Sequence, residues 1–225
     1  MSCEQIRPLL PLNAMPADDA VFTTASQPRP VRARHAASLI VWRREVDDTA
    51  VLMGMRGARH RFMPSTLVFP GGAVDPADEK APFAAAIAPA TRAALERSAN
   101  PTLAQALASA ATRELAEETG LTLGRPPKLD ALCYLCRAVT PPDLPIRYNA
   151  RFFTIAAEHV SGTLAGDGEL ENLRFYSLGE LHAFDLAWIT REVLTVFERW
   201  LQSTEAERLA RTAFPVCRLQ RWATE

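Results

Sequence analysis

Residues 101–120, PTLAQALASAATRELAEETG, predict one long helix that ends among closely spaced carboxylates. Small and apolar side chains recur between Ala104 and Leu115 at the spacing of one helical face, which we expect to be buried. Gly120 suits the left-handed backbone position that commonly follows a helix end. The pattern therefore predicts a helix from Pro101 or Thr102 to Thr119 with one buried face.

Three carboxylates, Glu114, Glu117 and Glu118, group on a neighbouring face of this helix. Glu114 and Glu118 form a like-charge pair four residues apart, which costs about 0.2–0.5 kcal/mol. All three lie at the negative end of the helix dipole, where an anion loses about 0.3–1 kcal/mol. Only Arg113 offers local compensation, through Glu117. A solvated charged face explains this arrangement less well than a divalent cation, because hard cations such as Mg²⁺ bind clustered carboxylate oxygens.

The remaining patterns alternate irregularly between strand and helix. Strands are predicted at about 36–44, 49–56, 65–72, 130–139, 150–157 and 169–178, short helices within 79–103 and after 178, and an amphipathic helix at 186–202. This order indicates an α/β or α+β fold with a mixed sheet. Residues 1–34 are expected to be an irregular lead-in, and residues 35–225 a single domain with C-terminal helices at about 186–212.

Composition excludes several classes of protein. With 225 residues, 48% of them hydrophobic, the chain can form one domain with a sizeable core. A formal net charge of -1 argues against a nucleic-acid or membrane-surface partner. No apolar run is long enough for a membrane span. The first 20 residues lack a signal-peptide pattern. We therefore expect a cytoplasmic protein, and whether it forms a homodimer stays open.

Four cysteines are present, and two of them stand in LCYLC with CxxC spacing. A zinc site needs two more ligands at suitable spacing, and none is evident. Buried free thiols are the better interpretation, and they suit a reducing cytoplasm.

The nine residues RELAEETGL, 113–121, resemble the second half of the Nudix box, G-x5-E-x7-R-E-U-x-E-E-x-G-U, in which U is aliphatic. Every fixed position of this half is filled. FPGG at 69–72 resembles the start of the box, but Gly72 and Arg113 are 41 positions apart instead of 14. The box therefore contains an insertion of 27 residues, at about 79–105. Its first acidic position falls on Asp78 or Glu79.

The resemblance implies the Nudix fold, a mixed β-sheet between helices, here with a helical insertion inside the box. It also implies a hydrolase that uses Mg²⁺ or Mn²⁺ to split a nucleoside diphosphate linked to another moiety. The implied metal ligands are Glu114, Glu117, Glu118, the carbonyl of Gly72 and an acid outside the box, Glu169 or, as second choice, Glu171. Arg113 would orient the helix acids, Glu114 would help to remove the proton of the attacking water, and Gly71 and Gly72 would contact substrate.

Residues 52–72, LMGMRGARHRFMPSTLVFPGG, resemble the signature that precedes the box in coenzyme A diphosphatases. Arg56 and Arg61 fall on its two arginine positions, whereas Gly54, Gly57 and Ser65 depart from it. A guanidinium fits phosphate oxygens well, although arginines at a strand end are also ordinary surface charges. The implied substrate is a small nucleotide, coenzyme A or an acyl-CoA, split into 3′,5′-ADP and a 4′-phosphopantetheine product.

Two alternatives stay open. One is a Nudix hydrolase for ADP-ribose, NADH or nucleotide sugars, because three departures weaken the coenzyme A signature. The other is a binding or regulatory module without catalysis, although such modules tend to lose the helix glutamates that this chain keeps. In each case the insertion is expected to be a self-contained excursion with its own helices, which leaves and returns at nearly the same point.

Overall fold

A computed structural model describes residues 31–57, 63–166 and 168–225. Nearly all of the predicted lead-in, and Arg61, lie outside the described residues. The strands are β1 Arg34–Arg44, β2 Thr49–Arg56, β3 Leu67–Val68, β4 Gly71–Ala73, β5 Leu121–Thr122, β6 Cys133–Val139, β7 Tyr148–Ala156, β8 Ser161–Gly162, β9 Leu170–Ser177, β10 Pro215–Arg218 and β11 Arg221–Thr224. The helices are α1 Pro89–Glu96, α2 Pro101–Thr119, α3 Leu178–Ala183, α4 Trp188–Gln202 and α5 Glu205–Leu209, with a 3₁₀ turn at Pro76–Lys80 and another at Ala157–His159.

Strand β1 is the centre of the main sheet. One of its edges pairs in parallel with β7 from Arg34 to Trp42. Its other edge is shared, because β4 pairs antiparallel with residues 36–38 and β2 with residues 42–44. Beyond these strands the order runs β11-β10-β6-β7 on one side of β1, while β3 and β9 both pair with β2. The short glycine strand β4 therefore lies where the sheet divides.

The sheet separates two hydrophobic cores. Because side chains alternate along a strand, Leu39 and Val41 of β1 enter one core and Ile40 enters the other. The first core is completed mainly by α1 and α2, and the second by α3 and α4. This is a mixed sheet between helices, so the predicted fold class is confirmed.

The insertion is helical, but it is not a self-contained excursion. Ile87 and Leu95 are 4% and 1% exposed and belong to the same core as α2. The hydroxyl of Thr91 donates to the carbonyl of Leu132 at 2.7 Å. The insertion also supplies the first residues of α2 itself. The expectation of an independent excursion is therefore wrong, because the insertion closes one side of the core.

A buried arginine ties the insertion to the sheet. Arg151 on β7 is 1% exposed and donates to the carbonyls of Ser98, at 3.0 Å, and Asn149, at 3.1 Å. Burial lowers the pKa of Arg151 to about 10. Ser98 lies in the turn between α1 and α2, so this guanidinium fixes the start of α2 relative to the sheet.

Other predictions along the chain have mixed outcomes. Helix α4 matches the predicted amphipathic helix, but the β10–β11 hairpin after it was not predicted. The cysteines at 133, 136 and 217 are free thiols. Of the LCYLC pair, Cys136 is buried as expected, whereas Cys133 is exposed; Cys217 is also buried. Among the described residues, no helix is both long and apolar enough to cross a membrane.

We expect Leu95→Ala to lower the free energy of unfolding by about 2–5 kcal/mol, because it removes a buried side chain from the core. Glu96→Ala, an exposed change on the same helix, is the matched control and should cost less than about 0.5 kcal/mol. Urea unfolding measures both. Equal stability of the two variants would show that the insertion does not support the core.

Candidate active site

Helix α2 is positioned by local signals at both of its ends. The side chain of Asn100 accepts from the backbone N–H of Leu103 at 2.8 Å, and Pro101 occupies the first turn. Gly120 ends the helix with φ 72°, as its sequence position predicted. Because α2 packs on β1 and β4, its last turns deliver the carboxylates to the glycine strand.

The two displaced halves of the box meet directly. The backbone N–H of Gly71 donates to Oε2 of Glu118 at 2.8 Å. A Cβ on Gly72 would collide with the carboxylate of Glu114. Gly71 has φ 153°, and a Cβ there would collide with the carbonyl of Ala37. Glycine is therefore required at position 71, whereas at position 72 the flexible end of Glu114 would have to move. The prediction that Gly72 lies near Glu114 is confirmed.

Arg113 is the centre of the polar network at this junction. Its guanidinium donates to both carboxylate oxygens of Asp78 at 3.0 Å and to the carbonyl of Ala73 at 3.1 Å. It also donates to Glu114 at 2.9 Å and to Glu117 at 2.8 Å. Hydrogen bonding to Asp78 raises the pKa of Arg113. The arginine thus links the start of the insertion to the helix on which it ends.

Asp78 takes the first acidic position of the box. It is 2% exposed, whereas Glu79 is exposed. Asp78 also accepts from the backbone N–H of Asp75 at 2.8 Å, and together they form a capping box on the 3₁₀ turn. The sequence left Asp78 and Glu79 as alternatives. The capping spacing of Asp75 and Asp78 was the signal that separates them.

The helix carboxylates carry charge that is poorly compensated. Glu118 is 2% exposed, and burial raises its pKa to about 8; the Gly71 N–H and Arg56 oppose this shift, while Glu114 and Glu169 reinforce it. Burial also raises the pKa of Glu114, against the nearby Arg113. Desolvation and mutual repulsion therefore act on the same pair of acids, as is common where a protein holds a functional charge.

The residues predicted outside the helix have different positions. Glu169 lies directly before β9, and its charge raises the pKa of both Glu114 and Glu118. Glu171 is exposed and is not among the largest influences on these acids, so Glu169 stays the first choice for the acid outside the box. Arg56 ends β2 and its charge acts on Glu118.

The carboxylate oxygens at the site suit a divalent cation, although the described residues do not form a complete set of metal ligands. Within residues 31–57, 63–166 and 168–225, no three His, Cys, Asp or Glu side chains are grouped closely enough to hold a metal ion. Glu117 is held by Arg113 and its side chain is 56% exposed. Glu114, Glu118 and Glu169 nevertheless supply carboxylate oxygens, the donor type that Mg²⁺ and Mn²⁺ prefer.

Solved structures share this arrangement of sheet and helices. A NUDIX hydrolase from Alicyclobacillus acidocaldarius superposes with a TM-score of 0.59 at 24% sequence identity, over 80% of this chain and 96% of that chain. The MutT protein from Methanosarcina mazei Go1 superposes with a TM-score of 0.50 at 16% identity, over 79% and 100%. The chain has the Nudix fold.

A third neighbour is the NUDIX domain of Shewanella oneidensis NrtR in complex with ADP ribose, with a TM-score of 0.49 and 16% identity over 76% of this chain and 90% of that chain. No protein-family model matches the sequence, and no curated protein matches it.

Within this Nudix fold, the carbonyl of Ala73 is a partner of Arg113 that sequence reasoning missed, since a backbone acceptor has no residue signature.

Asp78→Asn should destabilise the chain by about 1–3 kcal/mol, because it leaves the Arg113 guanidinium without its buried anionic partner while keeping the side-chain shape. Glu79→Gln should change the free energy of unfolding by less than about 0.5 kcal/mol. Urea titration of both variants checks this assignment. Greater destabilisation by Glu79→Gln would give the first acidic position to Glu79.

Proposed function

We propose that the chain is a Nudix hydrolase that splits a nucleoside diphosphate linked to another moiety, with Mg²⁺ or Mn²⁺ as cofactor. The supporting observation is the junction of Gly71 and Gly72 with Glu114 and Glu118, to which Glu169 adds a further negative charge. Binding modules of this kind tend to lose the helix glutamates, whereas this chain keeps all three.

Several residues at the site have separate proposed roles in the reaction. When bound, a divalent cation neutralises diphosphate charge and makes water a better nucleophile. Arg113 holds Glu114 and Glu117 in fixed orientations through its hydrogen bonds. Glu114 is the proposed acceptor of the proton from the attacking water, and its raised pKa brings it closer to the range in which a carboxylate is an effective base. Gly71 and Gly72 allow the strand to approach Ala37 and the Glu114 carboxylate closely, and their backbone is the proposed contact to substrate.

Arg56 is the proposed contact to substrate phosphate. Its charge already acts on Glu118, so it lies near the acids that would hold the cation. A planar guanidinium binds phosphate oxygens in a fixed geometry, which favours one orientation of the diphosphate. Arg61 has the same proposed role on sequence grounds alone, because it lies outside the described residues.

Within this class, the proposed substrate is coenzyme A or an acyl-CoA. The support is Arg56 at the site and the partial match of residues 52–72 to the coenzyme A diphosphatase signature. ADP-ribose, NADH and nucleotide sugars are the competing substrates. Incubation with coenzyme A, NADH, ADP-ribose and UDP-glucose, followed by chromatography of the products, decides among them, and a binding module would turn over none.

Turnover should require Mg²⁺ or Mn²⁺, and Glu118→Gln should lower kcat by about 100-fold or more, equivalent to about 2.7 kcal/mol. Glu118 is buried at the site, whereas Glu158 is an exposed glutamate outside the box. Glu158→Gln is therefore the control and should keep full activity. Undiminished turnover in excess EDTA would contradict the proposed cofactor.

A second prediction concerns the 3′-phosphate of coenzyme A. If Arg56 binds it, dephospho-CoA is the poorer substrate. Arg56→Ala then lowers kcat/KM for coenzyme A by a factor that corresponds to about 1.5–3 kcal/mol of lost transition-state stabilisation. The kcat/KM values of the variant for coenzyme A and dephospho-CoA should then be nearly equal. Arg92→Ala, an exposed change on α1, serves as control. Equal kcat/KM values for the two compounds with the unaltered chain would refute this role of Arg56.

A further inference from the structure

The turn between α1 and α2 is held by hydrogen bonds from two sides. The carbonyl of Ser98 accepts from Nη2 of Arg151 at 3.0 Å, and the hydroxyl of Ser98 donates to the side chain of Glu225 at 3.1 Å. Glu225 itself accepts from Arg137 at 2.7 Å. One residue thus attaches the insertion both to β7 and to the end of the β10–β11 hairpin.

The described hydrogen bonds of Arg151 all go to neutral partners. Its guanidinium, which is buried, donates to the carbonyl of Ser98 and to a carbonyl of its own strand, and it lies 3.1 Å from Nδ1 of His35. The nearby carboxylate of Glu225 pairs with Arg137 instead. The buried charge of Arg151 therefore depends on three neutral acceptors, because a buried cation is costly without partners.

The contact with Arg151 determines the protonation state of the His35 imidazole. A guanidinium only donates hydrogen bonds, so Nδ1 of His35 must accept, and the single ring proton must lie on Nε2. A second proton, on Nδ1, would turn this acceptor into a donor and place two cations 3.1 Å apart. The contact is therefore compatible only with a neutral His35.

Among the described charged groups around His35, arginines outnumber carboxylates. Burial is the largest cause that lowers the pKa of His35, followed by the charges of Arg151, Arg32 and Arg137. The imidazole also lines an open cavity, whose other charged residues are Arg32, Arg34, Asp75 and Glu79. Neither carboxylate is among the largest influences on His35, so its surroundings favour the neutral ring.

We propose that His35 and Arg151 form an acid-sensitive clamp on the insertion, which opens when His35 takes up a second proton. The two cations then separate, Arg151 leaves the carbonyl of Ser98, and the turn loses one of its two described attachments. Because this turn leads directly into α2, the clamp makes the support of that helix dependent on pH. The inference does not rest on the proposed function, since it concerns only how the insertion is held.

The direction of the pH effect follows from the lowered pKa of His35. The closed state takes up a proton less readily than the open state, in which the pKa returns to about 6.5. The clamp therefore contributes fully above about pH 6.5, and its contribution is lost as the pH falls below that value. At about pH 5.5 an open-state imidazole is protonated about ten to one, so acid favours opening by about tenfold at most.

Amide hydrogen exchange of the whole chain at about pH 7.5 and about pH 5.5 tests the clamp, with rates expressed as protection factors to remove the intrinsic effect of pH. We expect the α1–α2 turn and the first turn of α2 to lose protection by about three- to tenfold at the lower pH. Helix α4, which packs in the other core, should lose less than about twofold.

His35→Asn is the matched variant, because its amide oxygen can accept from Arg151 near the position of Nδ1 and gains no proton. It should keep the protection of the turn at both pH values. Arg151→Met should lower the protection at both values and remove most of the pH response, which keeps the test decisive if His35→Asn does not fold. His159→Gln, an exposed change on the second 3₁₀ turn, is the control and should respond to pH like the unaltered chain.

Three results would overturn the clamp. The first is an unaltered chain whose turn keeps its protection at the lower pH. The second is a full pH response in His35→Asn or in Arg151→Met. The third is an equal loss of protection in α4, which would assign the effect of acid to unfolding of the whole chain.

Discussion

The ion pair between Arg113 and Asp78 is the interaction on which the site depends. Asp78 lies just before the 27-residue insertion, and Arg113 begins the carboxylate part of α2 beyond it. With both oxygens of Asp78 and the Ala73 carbonyl bound, the guanidinium holds β4 against the helix. Its remaining donors reach Glu114 and Glu117, so one side chain both closes the interruption and orients the acids.

The insertion is tolerated because its ends are held together and its middle supports the core. Loop-closure entropy rises by only about 0.6 kcal/mol when a loop doubles in length, so the interruption itself costs little. Leu95 and Ile87 then bury apolar surface, and Arg151 joins the turn at Ser98 to β7. The geometry of the site therefore depends on residues that the uninterrupted motif does not contain.

Local patterns carried most of what the sequence could predict. The C-terminal bound of α2 followed from the glycine at position 120. The meeting of Gly72 with Glu114 followed from the expectation that both serve one metal site. The sequence predicted one strand at 65–72, whereas the structure has the two short strands β3 and β4, because the pairing of β4 with β1 is a tertiary contact. The β10–β11 hairpin was missed because four-residue strands show too few alternations to predict.

Two arginines flank the helix acids, and their surroundings assign them different parts. Arg113 donates to Asp78, to the carbonyl of Ala73 and to the glutamates of α2. Its guanidinium therefore has a structural role. Arg56 ends a strand at the edge of the same site and relieves Glu118 only in part, since burial still raises the pKa of that acid to about 8. Neither arginine brings the pKa of Glu118 back to the usual range of a carboxyl group. A divalent cation beside this acid would remove the repulsion, and Arg56 would then be available to attract the phosphates of a substrate.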